Sequence, residues 1–339
     1  MIKEKTLLFS PYKIANCTIK NRVVMAPMDQ YMAVDGFVND WHLHHYVARA
    51  IGQVGLIIIE ASAVCENGRI SAQDLGIYDD AHIEGLKNLV EKCHAYNATM
   101  AIQINHAGRK CSLKNTPLIA PSAISFNAKF PTPKEMDTND IKQVIEDFKK
   151  SALRAKECGF DMLEIHAAHG YLLSSFLSPL SNKRTDKYGQ NRALLLQEIL
   201  ESIKSVLPNM PLMVRISADD YHQNGNSAKD FIELLEPLSH LYDALDVSCG
   251  GVVEVPIRVY PGYQIEQASL LKNALGKITI AGGALSDAKM VQKIISSQSA
   301  DAIFLARELL KNPFWCIQSA LALNQEIDIP KPYERIVHI

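Results

Sequence analysis

The chain has 339 residues, 47% of them hydrophobic, and a formal net charge of −2 at pH 7. This length suits one large α/β domain or two ordinary ones, and the lack of a basic stripe argues against a nucleic-acid partner. The seven cysteines are scattered without a Cys-x-x-Cys pair, which argues against a disulfide framework and a zinc site and indicates reduced thiols. No signal peptide or membrane-spanning segment is recognisable, so we expect a cytoplasmic protein without a membrane partner.

Apolar strands and helices alternate along the chain after a short hairpin-like opening at residues 7–20. The predicted strands span residues 23–28, 55–61, 100–106, 162–166, 212–217, 244–248, 278–281 and 302–305. Helices are predicted at residues 41–53, 82–95, 141–158, 192–206, 228–241, 265–273 and 286–296, with a last helix after the final strand. No linker or low-complexity segment separates these elements.

This alternation indicates the fold class. Strands that are apolar throughout are typical of a parallel sheet buried on both faces. Eight β–α units in a chain of this length predict an α/β protein, a single (β/α)8 TIM barrel covering residues 1–339, with a short N-terminal hairpin and a C-terminal tail. A doubly wound open sheet is the alternative, but no Gly-x-Gly-x-x-Gly motif follows the first strand.

The segment from Met162 to Tyr171 is an apolar strand that leads into three titratable side chains. Side chains alternate along an extended strand, so Glu164 and His166 face the same side. His169 and Tyr171 can join His166 only if the chain turns after the strand. Two imidazoles and a phenol gathered there can polarise a substrate oxygen and deliver a proton. The alternative is a pair of structural histidines beside a core tyrosine.

Other polar residues follow the remaining strands, at the end where TIM barrels carry their active sites. They include Asp29, Gln30, Tyr31, Glu60, Gln103, His106, Arg215 and Ser248. Gly282-Gly283 and Ala306-Arg307 follow the last two strands, where barrels commonly bind phosphate through loop N–H groups.

No lysine lies at a strand end and no metal-ligand motif is present, which disfavours a Schiff-base aldolase and a metal hydrolase. A phosphorylated planar cofactor would account for these features. We also predict that Glu164 and Arg215, at inward positions of neighbouring strands, form an ion pair.

Several segments resemble the old yellow enzyme family of FMN-dependent oxidoreductases, in particular its bacterial xenobiotic-reductase-like branch. The resemblance runs nearly end to end and is carried by residues 20–28, 52–57, 102–110, 166–172, 176–186 and 307–314. The sequence His166-Ala167-Ala168-His169-Gly170-Tyr171-Leu172 is among these motifs. The resemblance implies an FMN-binding TIM barrel that uses NADPH or NADH as reductant.

The resemblance also implies which residues bind the cofactor. They are Ala26, Pro27, Met28, Asp29, Ala61, Gln103, Arg215, Gly283, Ala306 and Arg307. Gln103 would bond the pyrimidine edge of the flavin, and Arg215 would lie near its N1–C2 region and favour the anionic reduced form. Main-chain groups of the first strand end, with Ala61, would hold the isoalloxazine ring.

The implied reaction is the reduction of an activated C=C bond, or of a nitro compound, with ping-pong turnover. His166 and His169 would bind the substrate oxygen, flavin N5 would deliver hydride to the β-carbon, and Tyr171 would protonate the α-carbon. Tyr31 would close the pocket. The C-terminal Pro332-Tyr333-Glu334-Arg335 resembles a tail whose arginine enters a neighbouring subunit's site, which predicts a homodimer or homotetramer in which Arg335 contacts substrate.

The chain departs from the family pattern at three places. Asp29 stands where this branch usually has a cysteine or threonine, and we expect an ionised Asp29 that makes the flavin harder to reduce. A protonated Asp29, or one that turns away to bond a backbone N–H, are the alternatives. Ala306 replaces a glycine, and the loop Tyr188–Arg192 is shorter than usual. The alternative functions are a flavin-binding protein with little turnover and a related flavin barrel, such as a dienoyl-CoA reductase or a demethylase.

Overall fold

The computed structural model describes residues 6–337 of the chain and the side chains of residues 6–336. The strands of this part are β1 (Tyr12–Ile14), β2 (Cys17–Ile19), β3 (Val23–Met25), β4 (Leu56–Ala63), β5 (Thr99–Asn105), β6 (Ile119–Ala120), β7 (Lys134–Glu135), β8 (Met162–Ala167), β9 (Leu212–Ser217), β10 (Ala244–Ser248), β11 (Ile278–Ala281) and β12 (Ala302–Leu305). Eight of them close into a parallel barrel in the order β10-β11-β12-β3-β4-β5-β8-β9. The predicted (β/α)8 barrel is therefore confirmed, and β1 and β2 form the predicted hairpin.

Helices surround the barrel. They are α1 (Asp40–Ile51), α2 (Ile83–His94), α3 (Thr138–Glu157), α4 (Leu172–Leu177), α5 (Lys187–Gln190), α6 (Leu194–Val206), α7 (Ala228–Leu235), α8 (Ile265–Leu275), α9 (Ala288–Ser296), α10 (Arg307–Lys311) and α11 (Trp315–Ala322). A 3-10 helix, Lys331–Val337, ends the described part of the chain. No helix of this part is long and apolar enough to cross a bilayer.

Local chemistry explains where the elements differ from the predicted bounds. The first barrel strand ends at Met25 rather than Met28, because Pro27 has no N–H with which to continue the ladder after Ala26 N donates to Leu305 O at 3.0 Å. Helix α7 ends at Leu235, where a short 3-10 segment containing Pro237 replaces the predicted continuation. Helix α3 starts earlier than predicted, because the Asp137 carboxylate accepts from the N–H groups of Asn139 and Asp140.

Two apolar cores hold the barrel together. One lies between the outer faces of the strands and the helices. The second fills the barrel interior with inward-facing side chains such as Leu56, Met162 and Met213. Ile14 and Ile19 of the hairpin belong to this second core, so the hairpin closes the end of the barrel where the strands begin. The opposite end, where the strands finish, is left to carry polar groups.

Candidate active site

The predicted cluster of two histidines and a tyrosine forms at the end of β8. The rings of His166 and His169 lie with their centroids 5.1 Å apart, and those of His166 and Tyr171 5.0 Å apart, both edge to face. The chain turns after Ala167 as required, with φ values of 59° at His169 and 75° at Gly170. Sequence reasoning thus identified three side chains that the fold brings into contact.

The turn is held from several sides. Ser217 Oγ accepts from His169 N at 2.9 Å, and Ser174 Oγ accepts from Gly170 N at 3.0 Å. A Cβ atom at position 170 would lie 2.3 Å from Gly251 O, so the close approach of these two loops requires glycine. The positions of both histidines are therefore determined by neighbouring strands as well as by their own segment.

Burial sets the protonation of the cluster. It lowers the pKa of His166 and His169 well below 6.5, and the positive charges of Arg215 and Lys110 act in the same direction. Both imidazoles are therefore neutral at pH 7. Burial also raises the pKa of Tyr171 well above 10, so its phenol keeps its proton. His166 Nδ1 accepts from Ala168 N at 3.2 Å, which places the imidazole proton of His166 on Nε2.

His169 is part of a hydrogen-bond chain that sequence reasoning did not find. Its Nε2 lies 2.8 Å from Ser248 Oγ, which accepts from Gln264 Nε2 at 3.2 Å. Gln264 Nε2 also donates to the hydroxyl of Tyr263 at 2.9 Å. Gln264 and Tyr263 lie in a loop without hydrophobic periodicity, so nothing in their spacing indicated a site.

Lys110 and Arg109, which the sequence showed only as part of a family motif, support the cluster from the loop after β5. Lys110 Nζ donates to His169 O at 2.8 Å and to Gly251 O at 3.2 Å, and it lies 5.2 Å from the centre of the Tyr171 ring. Burial lowers the pKa of Lys110 to about 8.

Arg109 is the largest of the fully buried side chains described, and its Nη2 donates to Val252 O at 2.6 Å. Its Nη1 donates to the carbonyls of Ile124 and Ser125, both at 3.4 Å.

A cavity of about 460 Å³ lies beside this cluster, after the last strands of the barrel. The residues that line it include Arg215, Ser248, Tyr263, Gln264, Gly283, Ala306, Arg307 and Lys311. Gly283 has a φ of 105°, and a Cβ atom there would lie 2.9 Å from Tyr263 Cδ1, so a side chain would fill part of the space. The structure thus brings together Gly283, Ala306 and Arg307, which the sequence assigned to phosphate, and Arg215.

The barrel interior next to Arg215 carries two buried carboxyl groups. Glu164 Oε1 accepts from Gln103 Nε2 at 2.8 Å, and Arg215 Nε lies 3.4 Å from Asp246 Oδ2. The predicted ion pair between Glu164 and Arg215 is wrong. Among the described residues, Arg215 forms its ion pair with Asp246 instead. Register explains the error, because Arg215 pairs with Asp246 across β9 and β10, whereas Glu164 pairs with Gln103 across β5 and β8.

Asp29 lies half-buried in the loop after β3. Burial raises its pKa to about 7, with the charge of Asp74 acting in the same direction and the Ala61 N–H and Arg215 opposing it. Of the neighbouring predicted residues, Ala26 is buried, Pro27 and Met28 are partly buried, and Tyr31 is 50% exposed at the rim.

The loop that carries Asp29 is anchored by Glu60 on β4. Glu60 Oε1 accepts from Gln30 N at 3.1 Å, and Glu60 Oε2 accepts from the hydroxyl of Tyr46 at 2.7 Å. Burial raises the pKa of Glu60 to about 8. Because Glu60 is held by helix α1 through Tyr46, the loop over the barrel mouth is tied to the barrel wall.

Arg335 is not part of this chain's own cavity. The tail runs along the opposite end of the barrel, where Glu334 and residues 327–330 lie beside Gln53 and residues 95–97, at the starts of β4 and β5. Tyr333 packs edge to face on Phe314, with ring centroids 5.6 Å apart, and Arg335 is exposed. The other predicted site residues lie at the barrel mouth or in the barrel interior beneath it.

With this geometry in place, similarity to known proteins decides the family. A family model described as NADH:flavin oxidoreductase / NADH oxidase matches residues 7–326. The chain belongs to this family. The prediction of the old yellow enzyme family is thereby confirmed, with FMN and a reduced nicotinamide as its cofactors, and the protein is an FMN oxidoreductase.

Relatives within the NADH:flavin oxidoreductase family match almost the whole chain. A protein of Clostridium acetobutylicum named NADPH dehydrogenase is 46% identical over 334 residues, which are 97% of this chain and 98% of the relative. The NADPH dehydrogenase of Halalkalibacterium halodurans is 49% identical over the same shares. Among solved structures, morphinone reductase superposes with a TM-score of 0.80 at 26% identity, covering 98% of this chain and 93% of that one. A 2-naphthoyl-CoA reductase complex shares the fold with a TM-score of 0.88 at 24% identity, and this chain spans 53% of its length.

The cavity fits the FMN of this family in its donor chemistry. Arg307 supplies a guanidinium for phosphate, and Gly283 leaves open the space that a side chain would fill. Gln264 Oε1 is a buried acceptor without a hydrogen-bond partner in the described structure. It could accept a hydrogen bond from a hydroxyl group of a sugar-like chain. Arg215 also lines the cavity, and its cation suits a heterocycle with carbonyl oxygens.

Proposed function

We propose that this protein is an NADPH-dependent ene-reductase that reduces activated C=C bonds, such as those of enones. We propose that nitro compounds are reduced in the same pocket. The observation that carries the proposal is a cluster in which the neutral His166 contacts both the neutral His169 and the protonated Tyr171, beside a cavity suited to a phosphate group. The names of the relatives support NADPH as the reductant. The free thiols of the described cysteines support a reducing compartment such as the cytoplasm.

The residues divide the reaction as follows. When bound, FMN supplies the hydride that adds to the β-carbon of the alkene. His166 and His169 each donate one N–H to the carbonyl or nitro oxygen of the substrate, which stabilises the negative charge that develops there. Tyr171 gives its phenolic proton to the α-carbon, and the neighbouring Lys110 ammonium stabilises the phenolate that remains.

On the cofactor side, Gln103 and Arg215 would bond the pyrimidine edge and the N1–C2 region of the flavin. Ala26, Pro27, Met28, Asp29 and Ala61 would line the ring, and Gly283, Ala306 and Arg307 would bind the phosphate. Tyr31, exposed at the rim, would close over the bound substrate. Reduced nicotinamide and alkene would use the pocket in turn, as ping-pong turnover requires.

The decisive experiment follows the colour of the purified protein. We expect a yellow protein that NADPH bleaches under anaerobic conditions and that cyclohexenone then recolours. A control in which dithionite replaces NADPH bleaches any bound flavin. If dithionite bleaches the protein but NADPH does not, the reductase proposal fails and the protein only binds flavin.

A flavin-binding protein with little turnover is the second candidate, and Asp29 is the observation that favours it. A carboxylate beside the flavin opposes the addition of electrons, and the pKa of about 7 leaves a substantial ionised fraction at neutral pH. In that case bleaching by NADPH would take hours rather than seconds, whereas bleaching by dithionite would stay fast.

We further propose that the protein is a homodimer or homotetramer in which Arg335 reaches the substrate pocket of a partner subunit. The exposed position of Arg335, at the barrel end opposite to its own cavity, supports an action between subunits. The aromatic contact of Tyr333 with Phe314 supports an ordered start of this tail.

A further inference from the structure

Two carboxyl groups inside the barrel have no part in the proposed reaction. Glu164 on β8 and Asp246 on β10 are both 0% exposed. Each is the register partner of a residue assigned to the flavin, Glu164 of Gln103 and Asp246 of Arg215. They therefore lie beside the two side chains that would face the flavin pyrimidine ring.

The described residues leave most of the oxygen atoms of this pair without a hydrogen-bond donor. Gln103 Nε2 donates to Glu164 Oε1, and Arg215 Nε lies 3.4 Å from Asp246 Oδ2. Glu164 Oε2 and both carboxylate oxygens of Asp246 have no hydrogen-bond donor among the described residues, although they are fully buried. Each carboxyl group shifts the pKa of the other, so the two are neighbours, and two buried carboxylates side by side would repel each other. One proton between them supplies a donor.

The surrounding charges place this proton on Glu164. Burial and the charge of Asp246 raise the pKa of Glu164 well above its ordinary value, against the opposing effects of Arg215 and Gln103. Burial raises the pKa of Asp246 too, but Arg215 and the hydrogen bond from Glu164 both oppose that rise. A neutral Glu164 can then donate to an ionised Asp246 that is paired with Arg215.

We propose that Glu164 and Asp246 share one proton and act as positioning residues, which hold the Gln103 amide and the Arg215 guanidinium toward the flavin. The pair also sets the charge at this side of the pocket. Arg215 favours the negative charge of reduced flavin, the ionised Asp246 offsets part of that effect, and the neutral Glu164 adds no second negative charge. This role rests on the proposed function only in that FMN is the group these residues face.

Two amide variants separate the roles of the two carboxyl groups. Glu164→Gln imitates the protonated acid, since its amide accepts from Gln103 and donates to Asp246. We expect FMN to bind as before and the reduction equilibrium of the flavin to change less than twofold. Asp246→Asn removes the one negative charge, and we expect that equilibrium to shift toward reduced flavin by tenfold or more, about 30 mV for a two-electron couple.

An infrared measurement on the unmutated protein tests whether Glu164 is protonated, and its result does not depend on flavin reduction. The protein with carboxyl-13C glutamate should show a shifted carbonyl band of a protonated acid, and labelled aspartate should leave that band in place. The spectrum is recorded above the pKa of about 8 of Glu60, so that this second buried glutamate is ionised. In the variants, Glu164→Gln should lose the band and Asp246→Asn should keep it.

The outcomes are distinct. Equal shifts of the flavin equilibrium in Glu164→Gln and Asp246→Asn would show that both groups are ionised and would overturn the proposal. The absence of a glutamate band from the labelled unmutated protein would overturn it even if a variant fails to fold. A protein that takes up no FMN would contradict the proposed function, while the infrared result would still decide the proton.

Discussion

The neutral state of His166 and His169 sets how these residues can act. With pKa values well below 6.5, they donate hydrogen bonds but carry no positive charge at pH 7. Each therefore stabilises a developing negative charge on the substrate oxygen through one N–H. Donors of this kind contribute about 2.7–4 kcal/mol each in well-studied acyl-transfer sites, and we expect this site to lie at or below that range.

Replacing both histidines should separate flavin binding from substrate reduction. We expect His166→Ala with His169→Ala to keep FMN but to lose turnover of cyclohexenone and the binding of phenols, measured by steady-state kinetics and by spectral titration. His44→Ala is the matched control, because this histidine is exposed on α1. A double variant that reduces cyclohexenone at the parental rate would refute the site assignment.

The charge of Asp29 depends on pH near neutrality. Its raised pKa of about 7 means that it is neutral in mildly acidic solution and ionised in mildly alkaline solution. The ionised form opposes the addition of electrons to a nearby flavin, whereas the neutral form does not. The sequence predicted an ionised Asp29, and we now expect that state only in mildly alkaline solution.

Flavin potentials measured across a pH series test this expectation. We expect the parental protein to have a more negative potential than Asp29→Cys or Asp29→Asn above pH 7, with the difference disappearing as the pH falls below about 6. The asparagine variant is the closer control, because it keeps an oxygen that can accept from Ala61 N–H. Equal potentials at every pH, or a reversed order, would contradict the role of Asp29.

At the scale of elements, strands were easier to predict than the contacts between them. The last four barrel strands begin and end at the predicted residues, because each is a short apolar run between turn residues. The first strand was predicted too long, since the apolar run through Met28 hides the missing N–H of Pro27. Alternation correctly placed Glu164 and His166 inside the barrel.

The candidate site was predictable where its residues are close in the chain. His166, His169 and Tyr171 lie within six positions, so a single local turn is enough to bring them together. The partner of Arg215 depends on the register of β9 and β10, which no local pattern contains, and the ion pair was therefore assigned to the wrong carboxylate. Gln264 acts from a loop whose path is set by the rest of the barrel.

Gly283, in the loop after β11, has a matched control in Gly276, which precedes that strand. Gly283 and Gly276 both have positive φ, 105° and 61°, so alanine strains the backbone at either site. Only at Gly283 does the added Cβ meet a neighbour, Tyr263, whereas nothing lies within 4 Å of the one at Gly276. We expect Gly283→Ala to lose FMN, measured by flavin fluorescence, and Gly276→Ala to keep it. Equal FMN affinity in the two variants would remove Gly283 from the cofactor site.

For the whole molecule, mixing two impaired variants tests the shared Arg335. We expect Arg335→Ala to lower kcat/KM for an enone, and a mixture with the His166→Ala, His169→Ala variant to recover activity after subunit exchange. A mixed dimer then has one pocket with both histidines and a partner's arginine, so about one quarter of all pockets become complete. The unmixed variants are the controls. A monomer by light scattering, or unchanged kinetics in Arg335→Ala, would count against the proposal.

Arg109 links two stretches of chain that are far apart in sequence. Its guanidinium bonds to the carbonyls of Ile124 and Ser125 on one side and of Val252 on the other, so both stretches are held by the same buried side chain. The two loops should therefore open as one cooperative unit, with amide hydrogens that exchange at matching rates. Arg109→Met, which keeps much of the side-chain volume, should let the two loops exchange independently, as deuterium uptake followed by mass spectrometry would show.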